Sequence, residues 1–271
     1  MGYGVQLPMY ALGVSVAALS ALLACYYRSS LFKFTLGMTA LVIAFVFFTY
    51  AGFFDIFIGA VAIGGLAGWI VASAYEKRQK RKADHRVERR RDIVHAVIGV
   101  VVIALFYFTG QTTARYVLLA GMLVLYMLNA ALNHYKGGPV AKLLGRLEKP
   151  DVIYGKGAAL LAFGALLVAS FIYQNSYLEF AFVALFLGDA AATLTGTFFG
   201  RIKLPYSKNK SLAGSLAFFA VVGALGVPLI GWYALPAALA LAFLESIETR
   251  VDDNALVAIG AVALYAIFAA I

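Results

Sequence analysis

A single cysteine, Cys25, occurs among the 271 residues, so the chain forms no intrachain disulfide and no multi-cysteine metal site. Histidine is almost as scarce, at three, and no His or Cys cluster has zinc-ligand spacing. The absence of a GxxxxGK[ST] run sets aside P-loop chemistry, and the absence of GxSxG sets aside a serine nucleophile elbow. Charge is thin as well: 13% of residues are charged against 63% hydrophobic, with a mean hydropathy of +0.88. This composition excludes a soluble globular domain and leaves a polytopic helical membrane protein. The apolar runs are about 20 residues long and do not alternate, so a β-barrel is excluded too. The first of them lacks a basic leader and a small-residue cleavage site, and it reads as a retained span.

Uncharged runs predict an all-α chain with about ten transmembrane helices, at 5–27, 34–54, 56–75, 93–114, 116–135, 157–175, 177–200, 212–231, 233–251 and 255–271. If the segment 76–92 is cytoplasmic, then of 22 Lys and Arg only Arg115 falls on the opposite side. Topology therefore accounts for the net charge of +9, and no nucleic-acid partner is expected. The same segment, with nine basic residues and four acids, divides an accessory three-helix region, 1–75, from a seven-helix core, 93–271. A homo-oligomer is compatible with this layout.

The chemistry collects around 188–215, GDAAATLTGTFFGRIKLPYSKNKSLAGS. Asp189 lies inside an apolar run, where a carboxylate costs roughly 2.5–3.5 kcal/mol on insertion scales and therefore marks a use. At helical spacing Asp189, Thr193, Gly196 and Gly200 share a face, so the acid looks along a groove nearly free of side chains toward a basic loop carrying Arg201, Lys203, Lys208 and Lys210. A second acidic set, Glu245, Glu248, Asp252 and Asp253, ends the ninth span. Glu245, Glu248 and Asp252 are spaced i, i+3, i+7, and Glu245 lies about 10 Å below the surface at the helical rise per residue. Arg91, His95 and Gly99 share a face at the start of the fourth span. Carboxylates for Mg²⁺, lysines for phosphates and a cytoplasm-facing cavity suit phosphoryl or nucleotidyl transfer from a nucleoside triphosphate.

Gly188-Asp189, Ala192, Gly196, Gly200, Lys208, Lys210-Ser211 and Gly214-Ser215 resemble the signature of the CTP-dependent polyprenol kinases, the family of dolichol kinases, phytol kinases and the CTP-dependent diacylglycerol kinase. Asp252-Asp253-Asn254 and the Arg91, His95, Gly99 set look like two further blocks of that family, and the resemblance covers about residues 89–260. It implies CTP as phosphate donor, a divalent cation, an isoprenoid alcohol of dolichol, phytol or geranylgeraniol type or a similar lipid as acceptor, and a cytosol-facing site. Ala213 and Asp92 depart from the pattern, where the family usually has an acid and a basic residue.

The expected site follows from both readings. Asp189, Glu245, Glu248, Asp252 and Asp253 are the candidate Mg²⁺ ligands. Gly196, Gly200, Arg201, Lys208, Lys210, Ser211, Gly214 and Ser215 are the candidate nucleotide contacts, and Asp189, His95 and Lys210 the catalytic set. Two other functions fit part of this pattern. Phosphatidate cytidylyltransferases resemble Asp189, Gly196, Gly200, Lys210 and Gly214 in spacing, and a transporter would also use a buried acid, although no internal repeat supports one.

Overall fold

The computed structural model describes residues 14–24, 30–50, 52–75, 85–134, 156–249 and 251–270. They form helices α1 (Val14–Ala24), α2 (Leu31–Tyr50), α3 (Phe54–Tyr75), α4 (His85–Thr109), α5 (Gln111–His134), α6 (Lys156–Phe171), α7 (Asn175–Phe199), α8 (Leu212–Ile230), α9 (Ala234–Ser246) and α10 (Asp253–Ala269). Among the described residues the only extended pairing is an isolated bridge between Lys203 and Ser211. Four segments are long and apolar enough to cross a membrane: Phe54–Val71, Ala96–Gly121, Asn175–Phe199 and Leu212–Ser246. The second and fourth of these run through a turn, at Gly110 and at Gly231–Tyr233. The outward helix faces carry large apolar side chains, Val46, Phe47, Val101 and Leu239 among them, as a lipid-facing surface does.

The basic segment is more helical than the sequence reading allows, because α4 starts at His85 and takes in the Arg/Glu-rich stretch 85–92. Arg and Glu are good helix formers, so no local signal stops the helix before the apolar run begins.

α6 packs against α3, α5 and α10, while α7 packs against α4 and α8, and α8 turns back on itself through Gly231–Tyr233 to pack along α9. Lipid tails offer no hydrophobic drive between helices, so close contact has to come from fitted shapes. Here phenylalanine rings seat on glycines: a Cβ at Gly65 would run into Phe163, one at Gly99 into Phe186, and one at Gly226 into Phe180. The turns at Gly52, Gly110 and Gly231 have φ of 78°, 81° and 65°, a left-handed backbone that favours glycine.

One polar knot ties the α3 start to the core. Arg115 is 4% exposed, pairs with Asp55 of α3 and donates from Nε to the Ala169 carbonyl at 2.6 Å, while Gln111 Nε2 donates to Ile172 O at 2.8 Å. The carbonyls at the end of α6 lack helical partners, and these two side chains of α5 supply them. The basic residue that the charge pattern sets apart is thus a buried brace between α3, α5 and α6.

A Gly65→Val substitution should overpack the α3–α6 contact and cost about 1–3 kcal/mol. The expected result is a lower unfolding midpoint in detergent, and an unchanged midpoint would contradict the seating of Phe163 on Gly65.

Candidate functional site

α7 is not a uniform α-helix. Residues Val183–Gly188 widen into a π segment, and Asp189 is the first residue after it. Such single-turn widenings shift the angular phase of whatever follows them. Asp189, 9% exposed, is thereby brought to Glu245 in the last turn of α9, 2% exposed, and to Asp253 in the first turn of α10. One carboxylate oxygen from each of the three lies within 4.8 Å of the others.

Lys210 reaches this group from the α7–α8 loop. Its ammonium pairs with Glu245 and lies 2.7 Å from Asp253 Oδ2. Burial alone works to lower the Lys210 pKa, but the charges of Asp253 and Glu245 and their hydrogen bonds outweigh it and raise it above the ordinary lysine value. Lys210 is therefore a fixed cation. The three carboxylates offer only hard oxygen donors, close enough together to share one ion. That chemistry fits a divalent cation of the Mg²⁺ kind.

The loop that carries Lys210 is built, not slack. Leu204 N donates to Lys210 O at 3.2 Å, Leu212 N to Ile202 O at 3.0 Å, and Lys210 N to Ser207 Oγ at 2.9 Å, with Ser207 itself 5% exposed. Outside the loop, Tyr206 OH meets Ser246 Oγ at 2.8 Å. Ser211 caps α8 by accepting from Gly214 N at 3.2 Å. The side chains of Arg201 and Lys208 stand exposed on the loop surface.

Two sequence expectations change in detail. The glycine face of α7 is not an open groove: a Cβ on Gly196 would meet Ser211 Oγ at 3.1 Å, one on Gly200 would run into the Gly196 carbonyl and then into Ser211 Oγ at 2.8 Å, and one on Gly214 would meet Ala192 O at 2.8 Å. These glycines admit the first turn of α8 against α7. The acidic face of the ninth span also breaks, because α9 stops at Ser246 and Ile247 is extended at φ −79°, ψ 120°. Glu248 therefore leaves the Glu245 face. It accepts the backbone N–H of Lys208 at 3.2 Å and of Asn209 at 3.0 Å instead. Asp252 caps α10, accepting from Asn254 N at 3.1 Å. Neither Glu248 nor Asp252 belongs to the three-carboxylate group.

His95 lies on α4, four residues before the Gly99 that receives Phe186, but its side chain is outside the described residues, as is that of Arg91. The sequence reading did not single out Tyr206, Ser207, Asn209 or Ser246 as site residues. Hydroxyl and amide residues in a polar loop and at a helix end carry no signal of this docking beyond their proximity to Lys208 and Lys210. Ser215 Oγ and Asn254 Oδ1 are buried without a hydrogen-bond partner among the described residues, beside the α8 cap and the α10 cap respectively.

Comparison with known proteins adds an independent line. The chain is 28% identical over 218 residues to a probable chloroplastic phytol kinase 3 of Glycine max, covering 72% of this chain and 67% of that protein. It is 31% identical over 160 residues to a CTP-dependent diacylglycerol kinase 1 of Eremothecium gossypii, covering 56% and 48% of the two chains. To a chloroplastic farnesol kinase of Arabidopsis thaliana it is 27% identical over 186 residues, 60% of each. The matched part thus spans from about half to two thirds of these relatives. No family model matches the chain, and no solved structure matches it.

Two outcomes test this geometry. Lys210→Met leaves Glu245 buried without its counter-charge and should cost about 3–5 kcal/mol, more than the neutral Glu245→Gln, in denaturant unfolding in detergent. An effect no larger than that of Lys203→Met on the loop surface would contradict the pairing. Burial works to raise the Glu248 pKa, but the backbone N–H groups of Lys208 and Asn209 together with the Asn209 and Ser207 side chains outweigh it and bring the pKa below the ordinary value. A depressed carboxylate stabilises the fold above its unfolded pKa, about 4.3, and loses that contribution as pH falls through the lower folded value. Amide-exchange protection at Lys208 and Asn209 should therefore hold from neutrality to about pH 4.3 and fall only below it.

Proposed function

We propose that this chain belongs with the CTP-dependent polyprenol kinases, the family into which these relatives fit, and that it is a membrane-embedded kinase that transfers the γ-phosphate of CTP to the hydroxyl of an isoprenoid alcohol or a related lipid. The observation that carries the reading is the grouping of Asp189, Glu245 and Asp253, the last two paired with Lys210, since Asp189, Lys210 and Asp253 fall in two of the blocks that carry the resemblance. Phytol and farnesol kinases among the relatives support an isoprenoid acceptor, and the diacylglycerol kinase supports CTP as donor.

The finer reading keeps ten crossings, with the region 1–75 accessory, 76–92 as linker and 93–271 as catalytic core, and it puts the site at the cytoplasmic face. The positive-inside pattern supports that orientation. Asp189, Glu245 and Asp253 would hold Mg²⁺, which when bound offsets the charge of the phosphates. Lys210 and Lys208 bind the triphosphate, whereas of the amides around Ser211 to Ser215 those of Leu212, Gly214 and Ser215 are already engaged by Ile202 O, Ser211 Oγ and Ser211 O. The lipid hydroxyl approaches between helices and its oxygen forms a bond to the γ-phosphorus. The bond from that phosphorus to the β,γ-bridging oxygen breaks, CDP leaves, and the hydroxyl proton passes to His95 or to a carboxylate of the acidic group.

The test is incubation of purified protein with γ-labelled CTP, Mg²⁺ and a panel of prenols, diacylglycerol and phosphatidic acid. Label should appear on a prenol or another lipid alcohol. Labelled pyrophosphate released with phosphatidic acid would instead make the protein a cytidylyltransferase, and no consumption with any acceptor would favour a transporter. Asp189→Asn should reduce turnover by about a thousandfold or more, in line with loss of a group that stabilises transferring charge. If His95→Ala retains near wild-type turnover, the proton goes to a carboxylate and not to the imidazole.

A further inference from the structure

Three links hold the α7–α8 loop against the end of α9 and the start of α10. Lys210 pairs with Glu245 and Asp253, Tyr206 bonds to Ser246 and packs its ring 5.9 Å from that of Phe243, and the Glu248 carboxylate receives Lys208 N and Asn209 N on its two oxygens, with the Asn209 side-chain amide joining them. The links are not equivalent. In the kinase reading the Lys210 ammonium leaves its carboxylates for the phosphates, so that link loosens just when the loop must hold the nucleotide. Tyr206 and Glu248 then remain.

We propose that Glu248 is a positioning residue for the nucleotide: by accepting two successive backbone N–H groups it fixes the Lys208–Lys210 segment, so that both ammonium groups meet the triphosphate from one direction. The inference rests on the kinase reading and extends it. Glu248 touches neither the carboxylate group nor the reacting atoms; it acts through the loop. Its geometry suits this task because a carboxylate spanning adjacent amides restrains the backbone itself, and the side-chain charge of Lys208 stays available. The chain leaves the helix at Ile247 in an extended conformation, which is what turns Glu248 toward the loop.

The experiment uses the full chain in detergent or nanodiscs, with Glu248→Ala, Glu248→Asp and Tyr206→Phe. Loss of hydrogen bonds to a charged acceptor predicts a rise of about tenfold in KM for CTP in Glu248→Ala, with kcat within about threefold of wild type and KM for the lipid alcohol unchanged. Glu248→Asp should recover part of the effect, and Tyr206→Phe should shift KM for CTP in the same direction by less. Direct binding of CTP should weaken in parallel. Unchanged KM for CTP with wild-type turnover intact would overturn the positioning role alone. So would a fall confined to kcat and thermal midpoint, which marks a merely structural contact. Tighter CTP binding in Glu248→Ala would overturn it as well, since the carboxylate would then be occupying a place that a phosphate takes. A wild-type protein that neither binds nor consumes CTP removes the kinase reading, and this inference with it.

Discussion

A carboxylate as deep as Glu245 needs a partner inside the protein, Lys210 supplies it, and most of the site follows from meeting that requirement. The lysine has to arrive from outside the apolar layer, so it needs a loop long enough to leave α7 and return at α8. The loop has to be ordered, because a wandering ammonium would leave the acid unpaired in surroundings where an isolated charge is costly. Its internal bonds, from Leu204 to Lys210 and from Lys210 to Ser207, give that order. The same pairing brings together α7, α9 and α10, elements separated in sequence by as many as 64 positions from Asp189 to Asp253.

The packing of the bundle serves the same end. Phenylalanines seated on Gly65, Gly99 and Gly226 let helices approach closely without strong polar contacts in the apolar layer, which leaves ionisable groups free to gather at one end. The opposite end has its own polar brace, Arg115 with Asp55 and the last carbonyls of α6. One end is thus closed by a charge pair that satisfies helix termini. The other gathers the carboxylates of Asp189, Glu245 and Asp253, with Lys210 paired to the last two.

Much of this was legible in the chain. The apolar runs located the helices, and the rarity of acids inside them pointed to Asp189 and Glu245, because a membrane penalises such residues wherever they have no use. What was not legible depended on where helices stop. Glu245, Glu248 and Asp252 share a face only if α9 continues, and nothing in LESIETRVDD announces that it ends at Ser246. Gly196 and Gly200 read as an empty groove, and only the position of Ser211 shows that another helix lands there. Arg115 looked like an outlier of charge topology, since a sequence does not reveal that α6 presents its terminal carbonyls beside it.

The widened turn at Val183–Gly188 sets a limit on how this helix can vary. Each residue of a regular helix advances the azimuth by about 100°, so the number of residues between the α4 and α8 contacts and Asp189 fixes the compass bearing of the acid. Replacement of one apolar side chain by another in this turn leaves that bearing alone. Gain or loss of a single residue there would swing Asp189 to another side of the helix, away from Glu245 and Asp253. The length of the turn is thus held by the acid that directly follows it, while Gly188 and Phe186 within it are held by their close contacts with α8 and with Gly99.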